Sequence, residues 1–278
     1  LDGPRTQFLP FNRGSDPGGP DCGAGNPVMA GHRTAYLWEE VWERESWLEI
    51  LGRYCIAERD KKKQIKRLVF PRYHQLAVTR LLVKAVLEEG AGLRYLIQHS
   101  AGSGKTASIG WSSHLLADLH DEHDRKLFDT VLVVSDRSVI DTQLQETLEN
   151  FERRKGVVAS ITTEKGIKSE QLAAALSGDK KIVVCTIQTF PALIKKMQEL
   201  TATSGKRFAV IADEAHSSQT GDAALKLRKV LSAAELAELA DGGEVSIDDL
   251  LAADMSTRAS GTRAGGTGIT YVAFTATP

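Results

Sequence analysis

The sequence predicts an α/β domain with a mostly parallel sheet between two layers of helices, preceded by a helical and irregular segment. From residue 73 onward, short apolar runs alternate with helix-like segments. Runs such as TVLVVS (130–135) and KIVVCT (181–186) lack strict apolar/polar alternation, which is typical of strands that helices cover on both faces. A glycine-rich loop follows the first apolar run and opens a helix, an arrangement typical of a ligand site at the carboxyl end of a strand.

The elements follow one another in βαβ order, so we expect parallel strands and right-handed crossovers. Helices are predicted over 73–90, 104–119, 139–151, 169–176 and 187–200, the last broken near Pro191, and strands over 93–98, 130–135, 157–163, 181–186, 207–213 and 269–277. In the first helix one side is predicted to be apolar, and Gly90 ends it. That side consists of Leu76, Leu82, Val83, Val86 and Leu87.

Two regions depart from this alternation. Residues 1–30 are rich in Gly, Pro, Asn and Asp and predict irregular chain, and 34–57 show helical spacing with tryptophans that we expect to pack against the next domain. The basic run 58–67 predicts a solvated linker, which divides a leading segment, 1–67, from the domain 68–278. Within that domain, 232–268 predicts an exposed, mobile insertion.

Composition restricts the possible classes of function. The 278 residues are 42% hydrophobic and 26% charged, as in ordinary globular proteins, and no apolar run approaches the ~20 residues of a membrane span. Three cysteines without metal-like spacing indicate a reducing compartment, the cytoplasm, and Cys185 is expected in the core. With a net charge of −1, any nucleic-acid contact must come from local patches.

Because the chain begins with Leu and stops at TATP, we expect a piece of a longer protein.

The stretch HSAGSGKT (99–106) is the first candidate site. Its glycines let the backbone curl so that N–H groups point at phosphate oxygens, and the helix that begins there adds its positive end. Lys105 would reach the β- and γ-phosphates, and Thr106 would offer its hydroxyl to Mg²⁺. The predicted nucleotide ligands of the loop are Gly102, Ser103, Gly104, Lys105 and Thr106. His99 stands where the full pattern has its first glycine, and the alternative is a Ser/Gly turn with a chance GKT.

A pair of carboxylates forms the second candidate site. Asp213 and Glu214 end the apolar run 207–213. A carboxylate there can hold Mg²⁺ while its neighbour orients or deprotonates the attacking water. His216, two residues later, is expected to couple the phosphate state to neighbouring elements, with a core histidine as the alternative.

These motifs together resemble those of superfamily 2 helicases and translocases. That family combines such a loop with DEAH after an apolar strand and a later TAT, here Thr275-Ala276-Thr277. Gln75 precedes Lys105 by 30 residues and is similar to the family's adenine-reading glutamine. Finer runs resemble the motor (R) subunit of type I restriction enzymes. They are TQFLPFNRG, GAGNP, TAYLWEEV, RYHQLAV, QHSAGSGKT, VVSDRSVIDTQL, CTIQTF, DEAHSSQTG and AFTATP.

The resemblance implies the first of two RecA-like motor domains of an ATP-dependent type I site-specific deoxyribonuclease. It implies ATP and Mg²⁺ as cofactors, double-stranded DNA as the track, and methyltransferase and specificity subunits as partners. Thr275 and Thr277 would share in coupling, and Arg137, Gln143 and Thr186 would contact DNA phosphates. A helix-start charge for Arg137 and a helix N-cap for Thr186 remain alternatives.

The resemblance leaves other functions open. One alternative is a stand-alone superfamily 2 helicase or repair translocase, and another is a non-catalytic DNA-binding scaffold with this fold. No Asp…Glu-x-Lys nuclease set occurs in 1–72, and we expect the second motor domain to be absent, because the chain stops at TATP, where the resemblance places the end of the first. We therefore expect this piece by itself to bind ATP weakly and to hydrolyse almost none.

Overall fold

The computed structural model describes most of the chain, in two compact units, Leu1–Leu81 and Leu82–Pro278. The described residues are 31–32, 34–59, 64–100, 102–135, 142–152, 156–160, 175–176, 180–186, 197, 199–213 and 268–275. Predictions for 1–30 and for the insertion 232–268, except Gly268, lie outside them. In the described part of the chain, no helix is long and apolar enough to cross a membrane.

The first described segment of this unit is helical in three pieces, in keeping with the helical spacing predicted over 34–57. Two π-helical segments, Leu37–Val41 and Ile50–Tyr54, stand on either side of helix α1 (Arg44–Glu49). The break lies at Glu43, whose backbone is extended (ψ 140°) and whose carboxylate accepts a hydrogen bond from the N–H of Ser46 at 2.9 Å. That bond lowers the pKa of Glu43 and caps α1, which the spacing of apolar residues does not reveal.

A two-stranded antiparallel sheet follows, where the sequence predicted a linker over 58–67. Strand β1 (Ile56–Arg59) pairs with β2 (Ile65–Val69), and Glu58 lies opposite Arg67. The Arg67 guanidinium donates two hydrogen bonds, at 2.6 and 2.8 Å, to the Glu58 carboxylate. Both ends of the basic run therefore lie in strands, and an ion pair joins the two strands across the sheet. The linker prediction is wrong for these residues.

Helix α2 (Tyr73–Glu89) confirms the predicted helix and most of its apolar side. Leu76, Leu82 and Val86 are buried, whereas Leu87 is 44% exposed and is a wrong prediction. Thr79 is also buried, so the buried face of the helix has a residue at every third or fourth position from Leu76 to Val86. Its hydroxyl bonds to the buried Tyr54 hydroxyl at 2.9 Å, and burial raises the pKa of Tyr54 to about 12.

The second unit contains a six-stranded sheet in which every neighbouring pair is parallel, which confirms the predicted fold class. Its strands are β3 (Arg94–Gln98), β4 (Thr130–Ser135), β5 (Val158–Ser160), β6 (Ile182–Thr186), β7 (Phe208–Asp213) and β8 (Ile269–Thr275). They stand in the order β3-β8-β7-β4-β6-β5. β8, the last strand in the chain, is therefore inserted beside β3, the first strand of this sheet.

The core of this unit lies on the central strands. Every residue of β4 and β6 is buried, as the continuous apolar runs predicted. Cys185 is 0% exposed, and burial raises the pKa of its thiol to about 12, so the predicted core role is confirmed. Met197 and Leu176, which are both helical, belong to the same hydrophobic core cluster as residues of β4, β6 and β7.

The helix that follows the glycine loop packs against one neighbouring helix and against the sheet. Helix α3 (Lys105–Ala117) packs on α4 (Thr142–Asn150) and on β4 and β7. At Gly110 an added Cβ would lie 2.9 Å from the ring of Phe151, so the absent side chain permits this close packing. Trp111 of α3 contacts the same ring, with centroids 5.2 Å apart. The middle of the helix that begins at Lys105 is therefore packed closely against Phe151.

Candidate functional site

Three of the predicted site residues end strands at the carboxyl edge of the six-stranded sheet. In register, Gln98 of β3 lies beside Thr275 of β8, and Phe274 beside Asp213 of β7. Asp213 in turn lies beside Ser135 of β4, which pairs with Thr186 of β6. Three residues predicted separately, Thr275, Asp213 and Thr186, therefore end neighbouring or nearly neighbouring strands of one sheet.

The glycine loop joins this edge to α3 in the predicted conformation. Gly102 and Gly104 have φ of 75° and 85°, a backbone region that glycine adopts without the strain of a side chain. Gly104 precedes α3, and its carbonyl accepts hydrogen bonds from the N–H groups of Ala107 and Ser108. The N–H of Ser103 donates to the Ser100 carbonyl at 3.1 Å, which closes a turn within the loop. The curl that the sequence predicted at these glycines is thus present.

Lys105 and Asp213 form an ion pair across the site. The Lys105 Nζ lies 3.1 Å from the Asp213 Oδ1, and the two side chains are only 14% and 18% exposed. The pair brings the loop and the acidic strand end, far apart in the sequence, into direct contact. Because separating a largely buried pair leaves one charge uncompensated, an incoming anion that takes the lysine has to be matched by a cation for the aspartate.

His99 makes contacts that the sequence did not predict. The residue is 5% exposed, its Nδ1 lies 3.0 Å from the Ser103 hydroxyl, and its ring stacks on Phe274 with centroids 5.9 Å apart. Its backbone N–H donates to the Thr275 carbonyl at 2.8 Å. The only indication in the sequence was its place at the first position of the loop pattern. The stacking partner depends on the register of β8, which lies far along the chain.

Gln75, the predicted adenine-reading residue, lies at the start of α2. It is 5% exposed, and its Oε1 accepts a hydrogen bond from the N–H of Arg72 at 2.9 Å. The side chain of a third helical residue that reaches back in this way forms half of a capping box. The amide thus has a role in helix initiation, and adenine recognition stays a prediction.

Several predicted residues lie outside the described part of the chain, or have side chains that do. They are Glu214, His216, Thr277, Arg137 and Gln143. For Gln143 the structure describes the backbone, within α4, but not the side chain. Thr186 is described at the end of β6 and is 4% exposed. DNA contact by Arg137, Gln143 and Thr186 therefore remains a prediction.

The oxygen atoms at this edge fit Mg²⁺ by their chemistry. Magnesium is usually held by one or two carboxylates together with substrate phosphates and water. Asp213 supplies a carboxylate, and Thr106, in the first turn of α3, supplies a hydroxyl. Among the described residues, no group of three or more His, Cys, Asp or Glu side chains could hold a metal without a substrate.

The sequence matches the model of one protein family. The model of the SWI2/SNF2 ATPase family matches residues 74–239, more than half of the chain. The chain belongs to the SWI2/SNF2 ATPase family. The matched range includes all of α2 except Tyr73, the glycine loop and the Asp213 strand. A search of curated proteins found no match.

Proposed function

We propose that this SWI2/SNF2 ATPase domain is the first motor domain of a type I restriction enzyme subunit and drives translocation along double-stranded DNA. The observation that best supports its ATP site is the Lys105–Asp213 pair at 3.1 Å. It joins a phosphate-binding loop to a carboxylate at the carboxyl edge of a parallel sheet, where ligands of such folds bind.

Each residue of the site has a distinct task in this proposal. The Lys105 ammonium moves from the Asp213 carboxylate to the β- and γ-phosphates, which bring more negative charge. The curled loop, Gly102 to Gly104, directs its N–H groups at phosphate oxygens, and the N-terminus of α3 stabilises the same charge. Gln75 reads the adenine.

The carboxylates control the reaction itself. Asp213 and the Thr106 hydroxyl would hold Mg²⁺, and the bound ion would supply positive charge beside the phosphates. Glu214 orients the attacking water and accepts its proton. His216 follows Glu214 by two residues in the sequence, and Thr275 ends β8. In this proposal they couple the phosphate state to DNA contacts, together with Thr277.

The partners follow from the same proposal. Arg137, Gln143 and Thr186 donate hydrogen bonds to DNA phosphates, which positions the duplex without reading its sequence. Sequence recognition then belongs to a specificity subunit, modification to a methyltransferase subunit, and cleavage to a nuclease domain. The runs from TQFLPFNRG to AFTATP support this assignment.

A stand-alone DNA translocase is the second candidate. The SWI2/SNF2 match supports it equally well, because that match identifies the ATPase without a restriction complex. The two candidates differ in what stimulates hydrolysis. A restriction motor requires its partner subunits and an unmodified target site, whereas a stand-alone translocase responds to any duplex.

The test measures ATP hydrolysis by the full-length protein, with and without methyltransferase and specificity subunits, on DNA with or without an unmodified target site. We expect hydrolysis only with all subunits and the target, together with displacement of a DNA triplex placed downstream. Lys105→Ala should lower that hydrolysis by at least about 100-fold, since it removes a positive charge from the phosphates.

Lys84→Ala is the matched control, because Lys84 is an exposed helical lysine paired only loosely with Glu88, at 3.8 Å. It should leave hydrolysis unchanged. Hydrolysis that any duplex stimulates without partner subunits would support the stand-alone translocase. Hydrolysis that Lys105→Ala does not reduce would rule out the ATP site itself.

A further inference from the structure

His99 contacts two parts of the site at once. Its Nδ1 lies 3.0 Å from the hydroxyl of Ser103, which stands between the two glycines of the loop. Both glycines have positive φ, so the loop on either side of Ser103 is built from the most permissive residues of the chain. A loop of this kind has many conformations to lose when a phosphate orders it.

The other contacts of His99 attach it to the sheet. Its ring stacks on Phe274 of β8, with the two ring planes tilted by only 21°. Its backbone N–H donates to the Thr275 carbonyl at 2.8 Å. Phe274 is 0% exposed and lies in register with Asp213. The imidazole is therefore held by the rigid core on one side and bonds to the loop on the other.

We propose that His99 is a positioning residue that anchors the phosphate loop to the end of β8 through Ser103. The anchor preorganises the loop, so that less conformational entropy is lost when ATP binds. His99 then sets nucleotide affinity and leaves the chemical step unaffected. This inference rests on the proposed ATP site and assigns a task to a residue that the general loop pattern does not use.

The opposing interpretation is a histidine that only fills space in the core. Stacking on a buried phenylalanine fits that interpretation, but the bond to Ser103 adds a polar contact that packing alone does not require. The two interpretations separate when the ring and the nitrogen are removed independently. His99→Phe keeps an aromatic ring for Phe274 and removes Nδ1, whereas His99→Asn removes the ring and keeps an amide near the position of Nδ1.

The test compares His99→Phe, His99→Asn, Ser103→Ala and the double variant His99→Phe/Ser103→Ala in the full-length protein. We expect His99→Phe to weaken ATP binding about 3- to 10-fold, the factor of one lost hydrogen bond, while the kcat at saturating ATP stays within about 2-fold. Ser103→Ala should weaken binding similarly, and the double variant no further, because the two residues act as one unit. His99→Asn should retain most of the affinity.

A second measurement needs no nucleotide. Hydrogen exchange of the amides between 100 and 106 should be faster in His99→Phe than in the wild type, with unchanged exchange in β4. The proposal is overturned if exchange in the loop is unchanged, if the effects of the two single variants add, or if His99→Asn is as weak as His99→Phe. If the wild type binds no ATP, the proposed function is wrong, and the exchange measurement still decides the role of His99.

Discussion

The two sheets of the molecule differ in what keeps them in place. In the six-stranded sheet β4 and β6 are buried at every position, and polar side chains collect at the strand ends. In the two-stranded sheet four of the five residues of β2 are exposed, including Ile65 and Leu68 at 56% and 66%. Burial on both faces fixes register strongly, so the larger sheet can hold side chains such as Asp213 at defined positions. In the smaller sheet, the described contacts are its hydrogen-bond ladder, the Glu58–Arg67 ion pair and the buried side chain of Ile56.

The largest expected difference between the sheets concerns their leucines. Leu132→Ala removes a side chain that is 0% exposed in β4 and should lower the free energy of unfolding by about 2–5 kcal/mol. Leu68→Ala in β2 is the matched control and should change it by less than about 0.5 kcal/mol. Urea unfolding of both variants checks this. Equal losses would mean that the exposed strand is as tightly packed as the core.

The cysteines test the same contrast chemically. Cys185 is buried in β6, and burial raises the pKa of its thiol to about 12, which disfavours the reactive thiolate. Cys55, which precedes β1, is only partly buried. In single-cysteine variants, we expect iodoacetamide to label Cys55 at least about 100-fold faster. Comparable rates would show that the central sheet opens readily.

A smaller effect should come from the hydrogen bond inside the first unit. Tyr54→Phe removes the hydroxyl that contacts Thr79 at 2.9 Å and should lower the free energy of unfolding by about 1 kcal/mol. The loss stays modest because the Thr79 hydroxyl still donates to the Gln75 carbonyl at 2.8 Å. Thermal unfolding measures it, with Tyr95→Phe, an exposed hydroxyl bonded to Glu89 at 3.1 Å, as control. A loss above about 3 kcal/mol would contradict this explanation.

The smallest effect concerns the ion pair of the two-stranded sheet. The Arg67 guanidinium lowers the pKa of Glu58 below its usual 4.5, so the pair stabilises the folded state above that pH and the stabilisation is lost as pH falls through the lowered pKa. Glu58→Gln should cost less than about 1 kcal/mol at pH 7, since Arg67 is largely exposed. Unfolding at pH 7 and at progressively lower pH checks this, because the difference from wild type should shrink as the pH falls. A difference that stays constant as the pH falls would have to come from packing.

The contrast also explains how far the sequence could predict the structure. TVLVVS and IVVCT are strands at the predicted positions because a buried parallel strand requires a continuous apolar run. β1 and β2 were missed because their exposed positions impose no such pattern, and their pairing depends on Glu58 meeting Arg67. The chemistry of Lys105 and Asp213 was predicted from local motifs. Their contact, and that of His99 with Phe274, depends on long-range strand order, which no local spacing records.

The ATP affinity of Asp213→Asn, measured with and without Mg²⁺, tests the central claim most directly. Without Mg²⁺ the variant should bind ATP more tightly than the wild type, because Lys105 no longer has to leave a carboxylate. With Mg²⁺ it should bind at least about 10-fold more weakly, because the metal loses its carboxylate. Asp118→Asn, which breaks the exposed pair with Lys181 at 2.6 Å, should change neither affinity. An Asp213→Asn variant with wild-type affinity under both conditions would contradict an ATP site at this edge of the sheet.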